Sequence, residues 1–244
     1  MKSLPRPAVI ALDVGGVLYH DEPFELAWLQ EVLERTRLPL PEFERRMRAF
    51  YLSPNTHRTV FSPAGTASWT LVRSRWHTLV QPIPGALAAV GILSSRYELC
   101  VIANQPPECR DALHNLGLAQ SMRVIALDSL VGHAKPDLVL FAWTLRRLGC
   151  RPEDLLMVGD RPDQDAAPAL ALGCRAAIVQ HGDSWQAPAG THPQLLEAYR
   201  RLLPERAVLN SPTIPKPWLT FPDLPSLAGA LASDLPAPRG AAAT

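Results

Sequence analysis

Five short apolar runs, at residues 8–12, 99–103, 124–127, 155–158 and 176–179, constrain this chain more than any other feature. Each has the length of a strand and carries β-branched or long aliphatic side chains with almost no polar interruption. That is the pattern of strands buried on both faces of a parallel sheet. Amphipathic stretches at 84–93, 107–116, 137–148 and 165–172 fall between them, and the last three run into Gly117, Gly149 and Gly173. A glycine just past a helical stretch is a C-terminal stop, because it takes the left-handed conformation without a Cβ clash. Alternation of strands and glycine-stopped helices predicts an α/β fold with a doubly wound parallel sheet.

Residues 20–82 break the rhythm, for they contain no strand-like run. Three stripes take its place: Phe24/Ala27/Trp28 with Leu33, Phe43/Met47/Phe50/Tyr51, and Trp69/Val72/Trp76/Leu79. Their spacing of three to four residues predicts helices with one apolar face. Trp28, Tyr51, Trp69 and Trp76 are expected in the core of that helical unit. The domain reading is therefore a Rossmann-like core at 1–19 and 83–235, with a helical cap at 20–82. Beyond Gln180 the chain is Pro-rich; 193–203 reads as one more helix, 217–221 as a late edge strand, and 236–244 as a disordered tail.

Charge narrows the partners. Over 244 residues, 24 Lys+Arg against 23 Asp+Glu give +1, with no block of like charge. Nucleic acid and an anionic membrane surface are not expected partners on those grounds. The 8–12 run is too short for a signal core or a membrane span. Cys100, Cys109, Cys150 and Cys174 show no metal-ligand spacing, so reduced thiols and a cytoplasmic location are expected.

The polar residues that follow the runs carry the chemistry. Asp13-Val14-Gly15-Gly16 follows the first, Asn104-Gln105 the second, and Gly159-Asp160 through Asp165 the fourth. In a parallel sheet the carboxyl ends of the strands share one edge, where ligands bind. Asp13, Asn104 and Asp160 should thus converge, with Lys135 of the Lys135-Pro136-Asp137 element on the same edge. Asp13 and Asp160, with Asp165 behind them, suit a hard cation such as Mg²⁺. Lys135 is one of three lysines, with Lys2 and Lys216, in an otherwise arginine-rich chain. It offers compact charge to a carboxylate and to phosphoryl oxygens. Gly16 lets backbone approach a ligand closely.

These four elements, in this order, resemble the haloacid dehalogenase superfamily of aspartate-nucleophile hydrolases, over about residues 8–182. The helical segment resembles the all-helical cap that members insert after the first strand. The resemblance implies an aspartyl-phosphate on Asp13 with Lys135 assisting. It implies Mg²⁺ held by Asp13, the Gly15 carbonyl, Asp160 and Asp165, and a small phosphorylated metabolite contacted by Gly16, Asn104 and Lys135. The chain is expected to act as a monomer or homodimer.

Two departures stand out. Gly15 occupies the position where family phosphatases carry a second Asp as general acid and base, and Ala103 the position of a phosphate-holding Ser or Thr. Loss of the acid predicts a preference for good leaving groups, unless a residue such as His20 replaces it. Two alternatives stay open: a degenerate member that binds a phosphorylated ligand or partner without turnover, and a 2-haloacid dehalogenase. Against the latter, that branch works without metal, whereas the Asp160/Asp165 element is intact.

Overall fold

The computed structural model describes residues 7–52, 61–209 and 218–233. The chain runs β1 (Val9–Leu12), β2 (Tyr19–His20), α1 (Glu22–Thr36), α2 (Leu40–Leu52), α3 (Ala64–Arg73), α4 (Trp76–Leu79) and β3 (Gln81–Pro82). It continues through α5 (Ala86–Ser94), β4 (Glu98–Ala103), α6 (Glu108–Asn115), β5 (Met122–Leu127), α7 (Asp128–Val131), α8 (Leu138–Leu148) and β6 (Leu155–Gly159). Then come α9 (Ala167–Ala171), β7 (Arg175–Val179), α10 (Pro193–Leu209), β8 (Leu219–Phe221) and α11 (Leu224–Ser233). Two compact units result. The first comprises 1–18, 82–182 and 215–244, the second 19–81 and 183–214.

The first unit is built on a six-stranded sheet in the order β5-β4-β1-β6-β7-β8, with every pairing parallel. All five apolar runs are strands in it, and β8 is the late edge strand. Leu12 pairs with Val101 on one side and Val158 on the other, so the ends of β1, β4 and β6 lie side by side. Ile10, Ala11 and Leu12 are wholly buried, as a central strand requires. The α8 helix starts where the Asp137 side chain accepts the Val139 N–H at 2.9 Å, and stops at Gly149, whose φ of 65° is left-handed. The expected helix at 165–172 is instead a π-type turn over Pro162–Ala166 followed by the short α9. The wide turn is closed by the Ala167 N–H, which donates to Pro162 O five residues back, and Asp165 binds back on Arg161, N–H to carbonyl at 2.8 Å and carboxylate to N–H at 3.0 Å. The α11 helix was not anticipated; it buries Leu224, Leu227, Ala228 and Leu231. Its carbonyls at Leu231 and Ala232 accept from Tyr97 and Arg96.

The second unit is helical, and it corrects two expectations. Residues 183–214 group with 19–81 and not with the sheet. The reason lies in α10, which buries Leu195, Ala198, Tyr199 and Leu202 and continues through Pro204 beyond its expected end at 203. Within this unit the Tyr199 hydroxyl donates to Glu25, Arg206 pairs with Glu25 at 2.7 Å, and Arg48 meets Glu205 at 2.6 Å. The Arg206 guanidinium also lies over the Tyr51 ring, 4.9 Å from its centroid. The third helical stripe divides, because the chain leaves helical geometry at Arg75 before α4. Trp76 stays fully buried, edge-on to Tyr19, but Trp69 is 40% exposed with one edge against Phe24. Trp69 is therefore not a core residue.

The four cysteines are free thiols, three of them buried. Among the described residues, no helix is long and apolar enough to cross a membrane. The 236–244 tail lies outside the described residues.

Candidate active site

The site stands on the carboxyl edge of the sheet, in the first unit. Asp13 continues the ladder, its N–H donating to Val158 O at 2.9 Å, and its Oδ1 accepts the Val14 N–H at 2.8 Å. Lys135 Nζ lies 2.9 Å from Asp13 Oδ1 and 2.6 Å from Asp165 Oδ1. Asp165 is wholly buried, and Lys135 is 5% exposed. Asp160, directly after β6, is half-buried. Carboxylate oxygens of Asp13, Asp160 and Asp165 fall within 4.8 Å of one another. Three hard oxygen donors in that space fit a small divalent cation.

Two glycines let these groups come so close. Gly16 has φ +68°, and a Cβ there would sit 2.4 Å from the Asp160 carboxyl carbon. A Cβ on Gly159 would sit 2.1 Å from that of Asp165. A side chain at either position would displace a carboxylate. Gly15 is buried in the same loop.

Burial is the largest influence on Asp13 and raises its pKa to about 7, helped by the negative charges of Asp165 and Asp160 and opposed by Lys135. Burial alone would lower Lys135, but the Asp13 and Asp165 carboxylates outweigh it and hold the ammonium above its ordinary value. Lys135 thus stays charged while Asp13 titrates near neutrality. A carboxyl whose pKa is raised on folding adds stability below its unfolded value and loses it as pH rises toward the folded one. In metal-free protein, Asp13→Asn should therefore gain stability relative to wild type as pH climbs from about 4 to about 7. Urea titrations of both proteins in EDTA check this, and a pH-independent difference contradicts it.

Asn104 is placed differently from expectation. Its amide donates to Lys135 O at 3.0 Å, and its Oδ1 accepts the Lys135 N–H at 2.7 Å. The side chain thus holds the lysine loop. His20 belongs to the second unit, buried, with Nε2 3.0 Å from Ser184 Oγ. Two further groups stand past strand ends, of which only Asp128-Ser129 escaped the sequence reading. His181, just past β7, has Nε2 at 3.8 Å from Asp160 Oδ2, and Asp128-Ser129 directly follow β5. Both follow a strand, so the strand-end rule that located Asp13 applies to them equally.

A parallel α/β sheet with three carboxylates and a buried lysine on its carboxyl edge describes a class of hydrolases. The chain belongs to that class by descent as well: residues 7–173 match the model of the haloacid dehalogenase-like hydrolases. It is 32% identical over 176 residues to a glyceraldehyde 3-phosphate phosphatase of Methanothermobacter thermautotrophicus, covering 70% of this chain and 73% of that one. A phosphoserine phosphatase of Thermus thermophilus is 36% identical over 85 residues, or 34% of each chain, so only about a third of that relative is matched. Among solved structures, a haloacid dehalogenase-like hydrolase of Streptococcus pneumoniae superposes with a TM-score of 0.64 at 16% identity, covering 91% of this chain and 98% of that one. A HAD phosphatase of Thermococcus onnurineus gives 0.58 at 20% identity, covering 81% and 97%. Those two likenesses concern the fold.

Proposed function

We propose that the protein is a Mg²⁺-dependent phosphatase of small phosphorylated metabolites, with Asp13 as nucleophile. The observation that carries this is Lys135, buried between Asp13 and Asp165 with Asp160 beside them. The Asp13 carboxylate attacks phosphorus in line, the bond to the leaving oxygen breaks, and water then hydrolyses the aspartyl-phosphate. Lys135 fixes the carboxylate and supplies positive charge to the phosphoryl oxygens. Asp13, the Gly15 carbonyl and Asp160 would hold the cation, with Asp165 bracing Lys135. The cation adds charge neutralisation to the phosphoryl group. Asn104 acts by holding the Lys135 backbone, and the Gly16 loop admits the phosphate.

Gly15 supplies no proton to the leaving group. Acyl and aryl phosphates should therefore turn over faster than alkyl phosphates, and EDTA should remove all activity. Assay of such a panel with Mg²⁺ and with EDTA tests the reading; equal rates in EDTA sink it. Asp160→Ala should weaken Mg²⁺ binding by at least about tenfold, since even an outer-shell change commonly has that effect. Calorimetry showing unchanged affinity would contradict the ligand assignment. Gly15 and Ala103 together favour a second reading, a member that binds a phosphorylated ligand without turnover. It takes precedence if Mg²⁺ binds and the whole panel stays inert.

A further inference from the structure

The carboxyl edge of the sheet carries one more polar pair, at the end of β5. Ser129 Oγ donates to Gln105 O at 2.7 Å. Ser129 thus holds the Gln105 carbonyl from the end of β5. Gln105 is itself buried, and its neighbour Asn104 holds both backbone polar groups of Lys135. A continuous set of hydrogen bonds therefore runs from the end of β5, through 104–105, to the lysine loop.

That linkage bears on the missing hydroxyl. Ala103 brings no side-chain donor to the end of β4, so a phosphoryl oxygen there must rely on backbone N–H groups. Backbone donors hold an anion well when they are fixed before it arrives. We propose that Ser129 is a positioning residue that fixes the 104–105 backbone as a phosphate-holding loop, compensating for the hydroxyl that Ala103 lacks. The proposal rests on the phosphatase reading above. Ser129 does not touch substrate; it acts through Gln105.

The test uses the full chain with Mg²⁺, an aryl phosphate as substrate and inorganic phosphate as competing ligand. Ser129→Ala should raise both KM and the inhibition constant of phosphate about tenfold, the effect of about 1.4 kcal/mol, with kcat little changed. Ser129→Thr restores the hydroxyl and should return both constants to near wild type. A merely structural role predicts otherwise: a lower melting temperature and lower kcat with KM unmoved, which would overturn the proposal. So would unchanged constants in Ser129→Ala, or failure of Ser129→Thr to restore them, while wild type binds phosphate. If wild type neither binds phosphate nor turns over any substrate, the phosphatase reading fails first and this proposal falls with it.

Discussion

Asp13→Asn should abolish turnover, with a loss of at least about 10³-fold expected from removal of the proposed nucleophile. An amide oxygen attacks phosphorus poorly and is a weaker ligand for a hard cation than a carboxylate. The loss should not come from unfolding. Asparagine occupies nearly the same volume, its oxygen can still accept from Val14 N–H and Lys135 Nζ, and it removes a carboxylate that burial disfavours. Kinetics on the fastest substrate, beside a thermal melt of the same sample, give both readouts. Retention of wild-type rate would show that no covalent bond forms at Asp13.

Gly15→Asp restores the proton donor that the loop lacks, and its effect should depend on the leaving group. An alkoxide needs a proton to depart, whereas a phenolate or carboxylate leaves unaided. Alkyl phosphates should therefore gain up to about 10²–10⁴ in rate, the range general acid catalysis commonly provides, with aryl phosphates gaining far less. Gly15 is buried, so the new side chain must find room beside Asp13. A misplaced carboxyl would lower the gain, and the ratio of alkyl to aryl rates is the quantity to follow. An equal gain on both classes would show that proton donation is not what Gly15 lacks.

Much of this was legible in the residues. Hydrophobicity along a buried strand is continuous and local, so the five apolar runs could be read directly, as could the glycines past α6, α8 and α9. Once the strands are parallel, their ends share an edge, which brings Asp13, Asp160 and Lys135 together from distant positions. The α10 helix was legible as a helix but not as part of the second unit. Its partners Glu25 and Arg48 lie more than 150 residues away, and no periodicity encodes which surface a stripe will meet.

The sequence by itself determined the sheet, the order of its elements and the residue types on its carboxyl edge, because strand patterning and turn chemistry are local properties. Only the tertiary structure decided what those residues are joined to. Asn104 turns to the Lys135 backbone 31 positions away, and Ser129 turns to Gln105, because the register of β4 against β5 sets those loops side by side. The proton affinity of Asp13 was decided there too. It depends on how completely distant segments exclude water and on how close Asp160, Asp165 and Lys135 come. Those are distances in space, which spacing along a chain does not fix.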